Sequence, residues 1–302
     1  MKILVTGGGG FVGKNLVKKL IDLKHEVMIT AMGSEKTKLK VKKILYTTFE
    51  GIDWKSIYGL DAVIHLAANN DTRCQDENEM YRANVYAPIS LFHRAYYGGC
   101  RNFVYASSTA VYGNEPAPYH EDSTDINPLN PYGRSKAAFD EFSKKFSEEK
   151  KCKVVGLRYC NVYGPGEEKK EKRMSMIRQL INQMLAGKPP MLFKHGEQKR
   201  DWIFVDDVVE ANLLALKCEN SGIFNTGTGV ATSFNRLVEI INQHLETNHK
   251  PNYIRNSFEN EYQNHTECDI EKAQKELKFK AKFDIENGIK TYIDRIKNSS
   301  LI

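Results

Sequence analysis

Residues 5–16 read VTGGGGFVGKNL, and they follow directly on the apolar run Ile3-Leu4-Val5. Glycine weakens strands and helices, so four together after a first strand need a reason. Gly7, Gly10 and Gly13 recur every third residue. In a strand–turn–helix context such glycines make the tight turn, admit a pyrophosphate against the backbone, and let the helix pack close to the sheet. The helix N-terminus then offers free N–H groups to phosphate. The stretch therefore predicts a dinucleotide site on an α/β fold, with Phe11 and Val12 in its wall.

The rest of the chain agrees with this. Strands are expected at 2–6, 26–30, 43–46, 61–66, 102–106 and 153–159. Helical patterns fall between them, at 13–23, 85–97 and 135–148. That alternation predicts a Rossmann-type doubly wound parallel sheet. After residue 165 the pattern changes. Residues 166–173 are charged and aperiodic, Pro189-Pro190 break a helix at 176–185, and short strands are expected at 202–205 and 222–225. Helices are expected at 233–245, 271–277 and 285–297. We expect residues 1–165 to form the dinucleotide-binding domain, with elements returning from about 200–230. Residues 166–302 would mainly form a smaller mixed α/β lobe over the C-terminal strand ends, where such sheets bind ligands.

Composition narrows the classes of function. The 302 residues carry a net charge of +6, with 41% hydrophobic and 10% aromatic residues. No apolar run is long enough to cross a bilayer, and no signal-peptide pattern opens the chain, so a cytoplasmic protein is expected. The basic excess suits an anionic small molecule, and no nucleic-acid motif is present. The six cysteines, at 74, 100, 152, 160, 218 and 268, show no metal-like spacing. Reduced structural thiols and no metal are the expectation.

Two further stretches suggest chemistry. YASSTAVYG (105–113) leaves the fifth strand, and NPYGRSK (130–136) opens a helix. Tyr132 and Lys136 are four apart and share a helix face. A phenol titrates near about 10, too high for a base at neutral pH. A neighbouring ammonium group and a positive nicotinamide favour the phenolate. Ser108 at the strand end can hydrogen-bond both a substrate oxygen and the tyrosine. This set can take a proton from a sugar hydroxyl while hydride leaves the same carbon. At the end of strand two, an acid would bind the 2′-hydroxyl of NAD. The chain reads Thr30-Ala31-Met32-Gly33-Ser34 instead, with Lys36 and Lys38 beyond. Ser34 and Lys38 suit a 2′-phosphate, which favours NADP over NAD.

With TGGGGFVG, DAVIHLAA, YASSTAVYG, YGRSK, LRYCNVYGPG, KRDWIFVDDVVEA and FNTGTG in place, the chain resembles the extended short-chain dehydrogenase/reductases that act on nucleotide sugars. The resemblance covers nearly the whole chain. It implies a tightly held nicotinamide cofactor and a nucleoside-diphosphate sugar substrate. It puts Leu66, Ala67, Ala68, Asn84 and Tyr159 on the cofactor side. Asn70, Ser108, Thr109, Asn161, Arg200 and Tyr262 fall on the substrate side. Dehydratases of the family carry an Asp-Glu pair where this chain has Thr109 and Ala110, which favours an epimerase or a net oxidoreductase.

NVYGPGEEKK, KRDWIFV, SGIFNTGTG and EYQNHTECD resemble the heptose 6-epimerase branch, in which a lysine serves the opposite sugar face. Lys170 aligns with it, although it could be only one lysine of the EEKKEKR run. Three departures leave the sugar and nucleotide open: Ala31 replaces the strand-two acid, Glu261 replaces an arginine, and Gly166 stands where another arginine is expected. The readings weighed are therefore an epimerase, a nucleotide-sugar 4-dehydrogenase or ketoreductase on the same site, and a non-catalytic NADP-binding protein. A homodimer is also expected. Its contact would use Phe92, Ala95 and Tyr96 with Ala138, Phe139, Phe142 and Phe146, although these residues could equally be core.

Overall fold

The computed structural model describes residues 1–32, 41–46, 54–123, 126–255 and 263–299. The first strand, β1 (Lys2–Thr6), runs into the glycine turn and then α1 (Phe11–Asp22). There follow β2 (Glu26–Met32), β3 (Lys42–Tyr46), β4 (Ala62–His65), α2 (Glu77–Tyr81) and α3 (Ala87–Tyr97), the last two joined by a π-helical turn, Arg82–Tyr86. Next come β5 (Asn102–Ser108), α4 (Pro131–Lys150) and β6 (Lys153–Tyr159). Among the described residues the central sheet has seven strands, and all its pairings are parallel; the last, β10 (Gly222–Thr226), enters beside β6. The order β10-β6-β5-β4-β1-β2-β3 reverses direction between β1 and β4. That is the switch point where such sheets hold ligands. The apolar run Ala62–His65 is buried at every position, as a strand covered on both faces requires.

A second, smaller sheet lies outside the first. It joins β7 (Asn161–Tyr163), β9 (Lys199–Phe204), β11 (Ala231–Ser233) and β13 (His265–Thr266). The strand expected at 202–205 thus begins earlier, at Lys199, and belongs to this sheet. Alternation alone does not say which sheet a short strand joins. A two-stranded ribbon pairs β8 (Met191–Phe193) with β12 (Asn252–Ile254). The remaining helices are α5 (Met176–Leu185), α6 (Val205–Lys217), α7 (Phe234–Leu245), α8 (Glu271–Glu276) and α9 (Ile285–Ser299). The charged stretch after residue 166 folds as a 3₁₀ turn, Glu168–Arg173.

Helix α4 begins four residues before the expected Ser135. Asn130 accepts a hydrogen bond from the Gly133 N–H at 2.9 Å, and Pro131 takes the first helical position. A side-chain cap followed by proline is a strong start signal, and it brings Tyr132 and Lys136 onto the first turns. Further along the same helix, Phe139 and Phe146 are buried against Phe92 and Ala95 of α3. These four residues of the expected dimer face are core within one chain; Tyr96, Ala138 and Phe142 keep part of their surface exposed.

Candidate active site

One cleft of about 2180 Å³ opens over the switch point. Its floor is the glycine turn. Gly7 sits at φ +66°, and a Cβ there would come within 2.9 Å of the Ala67 nitrogen. A Cβ on Gly13 would lie 2.1 Å from the Gly7 carbonyl oxygen. These positions accept only glycine because backbone meets backbone. The N-cap of α1 is Gly10, which offers no side chain, and no acid occupies the first turn. The first turn of α1 lines the cleft, and its N-cap makes no side-chain hydrogen bond. A pyrophosphate fits that cradle in shape and charge. Phe11, Val12, Leu66, Ala67, Ala68 and Tyr159 line the same cleft.

Ser108, Tyr132 and Lys136 meet this cradle at the C-terminal ends of the strands. Ser108 ends β5 and lines the cleft together with Tyr132. Burial raises the Tyr132 pKa, and the Ser108 hydroxyl opposes the rise. Lys136 is buried, and its Nζ lies 5.8 Å from the centre of the Tyr132 ring. It donates to the Ala106 carbonyl at 2.8 Å. Burial lowers its pKa to about 8, with Asp140 pulling the other way. Behind it His65 bonds Thr6 Oγ1 at 2.7 Å, and burial drives its pKa down to about 3, so the imidazole is neutral. Lys136 is thus a cation in a dry setting, placed to favour a phenolate.

Lys170 reaches the cleft from the Glu168–Arg173 turn. Its Nζ lies 5.3 Å from the Phe11 ring centre, and burial lowers its pKa while Glu167 opposes. Glu167 is fully buried and accepts from the Gly164 N–H, the Ser175 hydroxyl and the Tyr292 phenol. That carboxylate holds the base of the turn. Gly166 lies at φ +104°, with Lys14 filling the space where an arginine side chain was expected.

Asn70, Asn161 and Arg200 also line the cleft. Asn161 Nδ2 donates to Thr266 Oγ1 at 3.3 Å, and Arg200 Nη1 to the Lys199 carbonyl at 2.8 Å. Two expected residues stand elsewhere. Asn84 is 2% exposed and off the cleft wall. It accepts from the Asn69 N–H at 2.8 Å and donates to Ser135 Oγ at 3.0 Å, joining the segment after β4 to α4. Thr109 is buried and donates to the Tyr159 carbonyl at 3.3 Å. In both cases an unpaired polar side chain would be costly in the core, and the backbone nearby satisfies it. Ser34, Lys38 and Tyr262, with Glu261, lie outside the described residues. Sequence reasoning did not single out Arg73, Arg82, Arg94, Arg173 or Gln263, all of which line the cleft. The four arginines sit in loops and helices without periodic pattern; the net positive charge was their only trace.

A dinucleotide cradle that shares one cleft with a Ser–Tyr–Lys set defines a nicotinamide-dependent enzyme. Comparison with known proteins agrees. The model of the NAD dependent epimerase/dehydratase family matches residues 3–227, and the chain belongs to that family. ADP-L-glycero-D-manno-heptose-6-epimerase of Brachyspira hyodysenteriae is 33% identical, over 98% of both chains. A putative UDP-glucose 4-epimerase of Methanocaldococcus jannaschii is 33% identical, over 99% of both. The crystal structure of Helicobacter pylori ADP-L-glycero-D-manno-heptose-6-epimerase superposes with a TM-score of 0.88 at 35% identity, covering 98% of this chain and 96% of that one.

Proposed function

We propose that this chain is an NAD(P)-dependent epimerase of a nucleoside-diphosphate sugar. It would work by transient oxidation to a keto sugar and re-reduction on the other face. The observation that carries the reading is that Ser108, Tyr132, Lys136 and Lys170 share one cleft with the glycine cradle. The residues present fit the cofactor: Gly7, Gly10 and Gly13 would hold its pyrophosphate, and Lys136 and Tyr159 would lie near its nicotinamide half. A bound nicotinamide supplies the acceptor and donor of hydride. Tyr132, as phenolate, takes the proton of the sugar hydroxyl. The Lys136 cation holds that phenolate charge, and Ser108 steadies the sugar oxygen. Lys170 serves the second face as acid, returning a proton when the keto oxygen becomes a hydroxyl again. Arg200 meets the diphosphate, while Asn70 and Asn161 meet the sugar. The resemblance adds Tyr262 to that side.

The finer assignments belong to the same reading. NADP is favoured because β2 ends without an acid. Residues 1–165 serve mainly the dinucleotide and residues 166–302 mainly the sugar nucleotide. The enzyme works in the cytoplasm; among the described residues no helix is long and apolar enough to cross a membrane. It pairs as a homodimer through α3 and α4, where Tyr97 is 71% exposed next to the partly exposed Tyr96 and Phe142.

The test begins with protein purified without added nucleotide. It is denatured, and the released small molecule is weighed. Stoichiometric NADP or NAD supports a retained-cofactor cycle, and the mass decides the 2′-phosphate. The intact enzyme is then incubated with a panel of ADP- and UDP-sugars and followed by proton NMR. Epimer formation without net cofactor turnover is expected. Net reduction of added NADP instead would make it an oxidoreductase and sink the epimerase reading.

A further inference from the structure

Beside the cleft two cysteines meet. Cys160 follows the end of β6 and lines the cleft wall; Cys268 follows β13. They are 6% and 2% exposed, and their Sγ atoms are 2.6 Å apart across 108 residues of chain. A disulfide needs sulfurs about 2.05 Å apart, and these two thiols are already in direct contact. Both backbones are held. The Cys160 N–H donates to the Thr226 carbonyl at 3.0 Å, and Tyr119 bonds the residues on either side of Cys268 at 2.8 and 2.9 Å. Gly227 leaves the room the sulfurs use, since a Cβ there would lie 2.6 Å from Cys160 Sγ.

Asp201 completes the cluster, with one oxygen and both sulfurs within 4.8 Å of one another. Two thiols and a carboxylate suggest a metal site, but the carboxylate is already committed. Oδ1 accepts from the Thr228 N–H and hydroxyl, and Oδ2 from the Gly229 N–H. Among the described residues a metal ion would find only these three side-chain ligands in a closed space, beside a carboxylate whose charge is already met by three donors. A disulfide needs neither.

We propose that Cys160 and Cys268 are an oxidation site, closed to a disulfide by a peroxide. Burial and the nearby Asp201 carboxylate hold the Cys160 proton on sulfur, so it leaves only as the reaction proceeds. Its sulfur attacks one peroxide oxygen. The O–O bond breaks, and the leaving hydroxide takes the Cys160 proton as water. Cys160 is then a sulfenic acid. Cys268 sulfur attacks Cys160 Sγ; the S–O bond breaks, and the departing hydroxide takes the Cys268 proton as a second water. Two thiols lose two electrons, and one peroxide becomes two waters. Cys160 reacts first because it is the one on the cleft wall. The bond fastens the segment that carries Gln263 and β13 to the end of β6. β13 pairs Thr266 with Arg200, so this is the substrate side of the cleft. The inference is independent of which sugar the enzyme takes.

The test uses the full chain as purified. It is exposed to equimolar hydrogen peroxide, alkylated, and digested without reductant. Free thiols are expected to fall from six to four, with one cross-linked peptide pair that joins Cys160 to Cys268 and is lighter by two hydrogens. The melting temperature rises by several degrees and returns with dithiothreitol, as closing a long loop requires. In Cys268→Ser the same treatment leaves a sulfenic acid on Cys160 that dimedone traps. The proposal is overturned if Cys74 or Cys218 is oxidised while Cys160 and Cys268 stay reduced in the wild-type chain. A zinc ion retained by the native protein and lost with either cysteine would overturn it as well.

Discussion

Arg158 on β6 donates from Nε to Asp140 Oδ2 on α4 at 2.9 Å, with both side chains at most 4% exposed. Tyr105 donates to the other carboxylate oxygen at 2.9 Å, and Arg158 Nη1 donates to the Tyr112 phenol at 2.8 Å. Asp140 lies one turn beyond Lys136 on the same helix, so this pair fixes the helix that carries Tyr132 and Lys136. Removing one partner leaves a buried charge uncompensated, which costs about 3–5 kcal/mol. Arg158→Met should therefore lower the unfolding free energy by that amount in urea. Asp140→Leu combined with Arg158→Met should cost clearly less, since no lone charge remains. Equal losses in the single and double variants would show that the pair is not the source of the effect.

Tyr132→Phe keeps the ring and removes the proton acceptor. Proton transfer by a placed group contributes roughly a hundredfold to ten-thousandfold. The variant should lose that much kcat with its melting temperature and retained nucleotide unchanged. Steady-state kinetics on the wild-type substrate measure this. A kcat within a few-fold of wild type would remove Tyr132 from the mechanism.

Lys136 sets the alkaline limb. Its pKa, lowered to about 8 by burial, means that the cation is lost as pH rises through 8. Above that pH the Tyr132 phenolate loses its positive neighbour, so kcat/KM should fall with an apparent pKa near 8. The neutral His65 behind it adds no titration in this range. Stability moves the other way. The unfolded chain binds this proton up to the ordinary lysine range near about 10.4, whereas the folded chain has lost it by about 8. Between these values the unfolded state holds more protons, so Lys136 contributes a rise in stability with pH. Lys136→Met should abolish the limb in kcat/KM and flatten the stability slope between pH 8 and 10. A limb unchanged in the variant would assign it to another group.

Much of this was legible in the sequence, and the reason is local. The glycine turn, the buried run Ala62–His65 and the Tyr132–Lys136 spacing are set by neighbours within a few residues, so pattern reveals them. The small sheet was not legible in the same way. Strands β7, β9, β11 and β13 are two to six residues long and find each other across long stretches of chain. Asn84 and Thr109 show a different limit. The family resemblance put both at the ligand, but whether a side chain faces a cleft or a buried carbonyl depends on tertiary packing. The Asp140–Arg158 pair left no trace either, because a charge pair 18 residues apart looks like two surface residues until the sheet closes over it.

Gly13 tests the cradle. Its missing Cβ would sit 2.1 Å from the Gly7 carbonyl oxygen, and no side-chain rotation relieves a clash with backbone. Gly13→Ala must push α1 away from β1. Such overpacking costs about 1–3 kcal/mol, and the displaced N–H groups lose the pyrophosphate. The variant should fold with a lowered melting temperature and release less than a tenth of the nucleotide that wild type carries, measured by mass after denaturation. Full nucleotide retention would place the phosphate elsewhere.

Lys170 is the proposed acid of the second face. The Glu167-anchored turn brings it to the cleft, with its Nζ 5.3 Å from the Phe11 ring centre. If it serves the second face, Lys170→Met should leave the first oxidation intact and block the return. Stopped-flow absorbance at the reduced-nicotinamide band would then show a burst of reduced cofactor that persists, and epimer formation should drop by roughly a hundredfold or more. Lys170→Arg keeps the charge but not a transferable proton, so it should restore substrate KM without restoring turnover. Wild-type epimer formation in Lys170→Met would reduce this lysine to one charge of a solvated run, and the second face would need another acid from the cleft wall.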